Sequence, residues 1–129
     1  MTFPLVPVYN SEQAEVVGAN AVNATVTVDV NGNVATPGGS ATVAVAASKS
    51  ANTVVKASAG RLCRVLVTTA GTATTVSIFD NATTNSGTII GMFPGTATAG
   101  TVYDFEMPAV SGITVGGAST NPAITVSFY

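Results

Sequence analysis

The chain has no His, no Trp, one Cys and only four basic residues among 129. Without His there is no His-based catalytic triad, and with one Cys most zinc sites are excluded as well. Cys63 has no partner for an intramolecular disulfide. Four Lys and Arg against six Asp and Glu leave a net charge of −2, which argues against electrostatic binding of nucleic acid. Charged residues make up 8% of the chain, against about 25% in an ordinary soluble domain, so coiled coils and charged disordered tails are excluded too. Long apolar runs are missing. Asn81 to Tyr103 and Met107 to Tyr129 are uncharged, but Pro, Gly, Asn and Ser interrupt both. The first seven residues carry no Lys or Arg, and Pro4 and Pro7 break their apolar character, so no secretory signal is expected. The expectation is a soluble protein with no membrane partner and no nucleic-acid partner.

What fills the chain instead is small: 20 Ala, 20 Val, 20 Thr and 13 Gly. The large apolar residues are unevenly placed. Phe3, Leu5 and Tyr9 stand near the start, and from Asn10 to Arg61 there is no Ile, Leu, Met, Phe, Tyr or Cys. Nearly all the others fall between Leu62 and Tyr129. The division predicted is an extended N-terminal arm over 1–22 and a single β-sandwich domain over 23–129, best cored over 62–129. Pro4 and Pro7 favour extended backbone in the arm. Its apolar residues Phe3, Leu5, Val6, Val8 and Tyr9 are the candidate partner-binding residues, laid on a neighbouring subunit.

Alternation predicts about nine short strands: Asn23–Val30, Thr42–Ala47, Thr53–Ala57, Leu62–Thr69, Thr74–Phe79, Thr88–Phe93, Val102–Met107, Ile113–Val115 and Ala123–Phe128. Asn, Gly and Pro turns separate them. In the sixth of the strands after Asn23–Val30, Tyr103, Phe105 and Met107 are expected inward, with Val102, Asp104 and Glu106 outward, and Pro108 is expected to end it. Only Glu12–Val22 offers a helical pattern, and a weak one. Regular short strands in a Thr- and Val-rich chain predict an all-β fold, a jelly-roll-like β-sandwich. The tetrapeptide Gly-Thr-Ala-Thr occurs at 71–74 and at 95–98, which in so Thr- and Ala-rich a chain is readily chance.

No constellation points to a reaction. Asp104 and Glu106 are the only carboxylates paired on one strand face, and a solvated outer face accounts for them. Lys49, Lys56, Arg61 and Arg64 are too scattered for more than surface pairing. Asn23-Ala24-Thr25 and Asn81-Ala82-Thr83 match the glycosylation pattern, but Thr is common here. Gly38-Gly39-Ser40 and Gly116-Gly117 lack the helix and Lys of a phosphate loop. Cys63 reads as a small buried hydrophobe. No enzyme, no cofactor and no metal are therefore expected.

Several segments together carry a resemblance. They are Val54-Val55-Lys56-Ala57-Ser58-Ala59-Gly60-Arg61-Leu62, Ile78-Phe79-Asp80-Asn81-Ala82, Gly87-Thr88-Ile89-Ile90, Gly100 through Pro108, and Gly112-Ile113-Thr114-Val115-Gly116-Gly117. In this order they resemble small structural proteins of tailed bacteriophages, over Val54 to Tyr129. The resemblance implies a virion component assembled in the host bacterial cytoplasm. Within that group it implies a capsid decoration (cement) protein, commonly a homotrimer, bound to the major capsid protein. A fibre or tail module that binds a receptor or glycan is the alternative. Low charge fits such assembly, since faces buried by neighbours have little use for charge.

Overall fold

The computed structural model describes residues 38–129. The arm with Phe3, Leu5, Val6, Val8 and Tyr9, the helical pattern at Glu12–Val22 and the predicted strand Asn23–Val30 lie outside the described residues. Within them there is no helix. The strands are β1 (Ala41–Val45), β2 (Thr53–Lys56), β3 (Gly60–Thr69), β4 (Val76–Asp80), β5 (Thr88–Phe93), β6 (Val102–Ala109), β7 (Ile113–Val115) and β8 (Ala123–Phe128). Each overlaps a strand predicted from alternation.

They form two antiparallel four-stranded sheets, in the orders β1-β8-β3-β6 and β2-β7-β4-β5. The pairing is nested. β4 pairs with β5, β3 with β6, β2 with β7 and β1 with β8. The chain thus runs as one long antiparallel ribbon whose middle is the β4–β5 hairpin. Two further pairings, β3 with β8 and β4 with β7, close the ribbon into sheets.

The two sheets share one apolar cluster. Leu62, Ile78 and Ile113 are its largest fully buried side chains. Before Leu62, only Val45 and Val55 of the described hydrophobics are buried. Because the chain has few large side chains, the core is fitted by pairing large with minimal. Gly91 on β5 faces Leu62, and a Cβ there would lie 2.8 Å from the Leu62 Cδ2. Phe93 and Tyr103 stack at 5.3 Å between ring centroids, and Tyr103 lies 6.5 Å from Phe105. These rings fill the corner where β5 meets β6.

Two expectations for β6 are corrected. The strand does not stop at Pro108, which pairs with Arg61. Arg61 exchanges hydrogen bonds with Tyr129 on its other side, at 2.7 and 3.2 Å. Its peptide groups therefore face away from β6, and Pro108 occupies a position whose missing N–H would have pointed off the sheet edge. The second correction is Met107, which is 41% exposed rather than inward. β6 has an extra residue opposite Leu62–Arg64, and Glu106 takes a left-handed φ of 52°. The bulge shifts the alternation by one, so Tyr103 and Phe105 pack inward and Met107 turns out.

β3 is irregular at the same level. Both Leu62 and Cys63 are buried, and the register against β8 also shifts between Leu62 and Arg64. The Ser127 hydroxyl accepts from the Arg64 N–H at 3.1 Å, which satisfies the backbone donor freed there.

Candidate interaction surface

The bulged region of β3 and β6 gathers four of the seven charged side chains among the described residues. Arg61 Nε lies 3.2 Å from a Glu106 carboxylate oxygen, and Arg64 Nε lies 2.5 Å from one of Asp104. The two carboxylates that the sequence places on one strand face are thus each held by an arginine of the neighbouring strand. The side chains are 39% exposed in one pair and 47% and 63% in the other. Pairs this open are worth about 0–1 kcal/mol. Their main effect is neutralisation, each carboxylate being paired with a cation of the neighbouring strand. Beside them Leu66 and Val102 sit opposite one another and are exposed, as is Met107.

Cys63 lies beneath this face and is buried. Burial first, and then the nearby Glu106 charge, push its thiol up to about 11, against the opposing pull of Arg61 and Arg64. A thiol kept protonated is a poor nucleophile. The reading of Cys63 as a small buried hydrophobe agrees with this.

At the far end of β4, Asp80 and Asn81 organise two loops. One Asp80 carboxylate oxygen accepts from Val110 N–H at 2.9 Å, and the other from Ser111 and Gly112 N–H at 2.7 and 3.2 Å. Burial works against the Asp80 charge, but the three backbone donors outweigh it and hold the carboxyl below its ordinary range. The Asn81 side-chain oxygen accepts from Thr83 and Thr84 N–H, both at 2.9 Å, and its amide donates to the Ser86 carbonyl at 3.1 Å. Its backbone carbonyl accepts from the fully buried Thr114 hydroxyl at 2.7 Å. Asn81 is therefore a loop organiser, and its amide nitrogen is already engaged, although the segment matches the glycosylation pattern. The other match, at Asn23, lies outside the described residues.

Sequence reasoning placed a turn between Thr74–Phe79 and Thr88–Phe93 and missed the carboxylate clamp. The three N–H groups it holds lie 30 to 32 positions away, and no local pattern announces them. Lys56 stands over the Phe128 ring, 5.9 Å from its centroid, while Lys49 belongs to an exposed loop. The four basic residues thus do not converge on one patch. Among the described residues no three His, Cys, Asp or Glu come together as a metal-binding group.

The two Gly-Thr-Ala-Thr segments meet in space. Gly71 N–H donates to the Gly95 carbonyl at 2.9 Å, and Gly95 packs directly on Ala73. With this geometry in view, comparison of the chain with protein-family models, with curated proteins and with solved structures finds no match.

Proposed function

We propose that this chain is a structural protein of a tailed-bacteriophage virion, a capsid decoration protein that binds the major capsid protein and stabilises the head lattice. The observation that carries this reading is the way the domain spends its charge. The arginines and carboxylates of β3 and β6 neutralise each other, Asp80 is turned onto backbone donors, and the exposed large apolar residues include Val54, Leu66, Ile89, Met92, Val102 and Met107. Such a surface gains by being covered rather than by reacting. The nested ribbon supports a jelly-roll assignment. Jelly rolls are eight-stranded double sheets found in viral capsid and lectin domains. The resemblance over Val54 to Tyr129 supports the virion assignment. On this reading no cofactor takes part, and the other partners are further copies of this chain, in a homotrimer by the resemblance. The arm residues Phe3, Leu5, Val6, Val8 and Tyr9 reach an adjacent subunit. Many weak contacts repeated over a shell give stable attachment.

One observation favours the second reading, a fibre or tail module for a receptor or glycan. The loop between β4 and β5 is an ordered polar tip, with Thr83, Thr84, Asn85 and Ser86 exposed. Co-expression with the major capsid protein of the same genome separates the two. Gradient-purified heads that carry regular stoichiometric copies support decoration, and deletion of residues 1–9 then lowers occupancy. Heads without the chain overturn the proposal, and reproducible glycan-array hits would move the assignment to the tail.

A further inference from the structure

Strand edges carry unpaired N–H and C=O groups, and proteins usually guard them with charge, proline, bulges or brevity. Among the described residues, three of the four edge strands have reason to stay unpaired. β6 has Asp104, Glu106, Pro108 and its left-handed bulge. β2 has four residues, ends in Lys56 and shifts register before it. β1 turns Ala41, Thr42 and Ala44 to solvent, with little apolar area to bury. β5, Thr88-Ile89-Ile90-Gly91-Met92-Phe93, has no charge and no proline. Its one irregularity is the extra residue Ile90. This brings Ile89 and Met92 onto the same outer face, 46% and 58% exposed.

The direction of the β5 peptide groups follows from its neighbours. Gly116 N–H donates to the Ser77 carbonyl at 3.0 Å, so Ser77 turns its peptide groups toward β7, and Phe79, two residues on, does the same. Met92 is paired with Ser77 and Ile89 with Phe79. In an antiparallel ladder both therefore point their N–H and C=O away from β4, out of the sheet.

We propose that β5 is a strand-addition site for the β5 of a second copy, paired antiparallel about a two-fold axis between Ile90 and Gly91. This register sets Ile89 of each copy against Met92 of the other. The strand suits itself because it brings no charge to repel its twin and matches one exposed apolar residue with another. Other segments of the chain suit it less. In the arm, Pro4 and Pro7 lie three positions apart, so an extended strand would turn one proline toward β5, where it cannot donate. The Asn23–Val30 segment would bring Asp29. The contact is two-fold, independent of the decoration reading and distinct from the trimer that the resemblance implies.

The test is mass by light scattering over a concentration series, with circular dichroism and melting as controls for folding. Wild type should weigh an even multiple of the chain mass of 12.7 kDa, twice it alone or, where the trimer also forms, twice the trimer. Met92→Lys and Ile89→Glu should each weaken the association about tenfold or more and leave the fold intact. The double variant I89E/M92K places opposite charges across the axis and should dimerise again. A monomeric wild type overturns the proposal, as does any oligomer that ignores both single substitutions. A double variant that stays monomeric overturns the register.

Discussion

The two ends of the sandwich are closed by different means. At the end where β4 and β6 finish, side chains do the work. Asp80 holds the 110–112 loop through three backbone donors, and Asn81 shapes the 81–87 loop. At the other end the backbone itself comes together. Gly71 N–H bonds the Gly95 carbonyl, Thr72 and Ala73 N–H both reach the Thr120 carbonyl at 2.9 Å, and a Cβ on Gly71 would lie 2.5 Å from backbone atoms of Thr120 and Pro122. Only the first end depends on a titratable group; the second adds to its backbone contacts two neutral amides, Asn52 accepting from Gly117 N–H at 3.1 Å and Asn121 donating to the Gly116 carbonyl at 2.8 Å.

The sharpest way to break this comparison is to add a methyl group. Gly71→Ala should cost about 3 kcal/mol or more, because the clash is with backbone that cannot rotate away. A loss below about 1 kcal/mol in urea unfolding would show that this end is not closed by contact. Next in size is Asp80→Ala, which strands three N–H donors and should cost about 2–3 kcal/mol. Asp80→Asn keeps one acceptor and should lose roughly half as much.

Acid should separate the ends. The Asp80 carboxyl is held below its ordinary range, so its contribution is complete above the unfolded value of about 4 and is lost as pH falls through the lower folded value. The melting temperature of the wild type should therefore drop more steeply on acidification below about pH 4 than that of D80N. Parallel profiles would remove the electrostatic part of the argument. The smallest effect expected is that of Asn81→Ala, about 1 kcal/mol, with hydrogen exchange faster at Thr83 and Thr84 and unchanged at Thr72 and Ala73.

Much of the architecture was legible. Every described strand overlaps one predicted from alternation, and Val65 with Val67 and Ile124 with Val126 are buried at every second position, because period two is a direct consequence of the pleat. Failure came where the pleat is interrupted. Met107 was assigned inward because a bulge at a Glu leaves no mark in the sequence, where a Gly would have been the usual sign. Pro108 was read as a stop because its tolerance depends on which side of β6 lies open, and that is settled by the partner strand. The candidate surface was legible only in its ingredients. Asp104, Glu106, Arg61 and Arg64 were each noted, but their matching needs the register of β3 on β6. The arm residues Phe3, Leu5, Val6, Val8 and Tyr9 remain a proposal on sequence grounds.

The nested ribbon also governs how the domain acquires its structure. The β4–β5 hairpin joins residues close in sequence, while Ala41 must find Phe128. Each pairing outward from the hairpin closes a longer loop, and the entropy of closure falls on contacts far apart in sequence. Folding should therefore take milliseconds to seconds, as for other folds of high contact order. It should proceed by zipping from the hairpin toward β1 and β8, which would be the last strands in and, on partial unfolding, the first out.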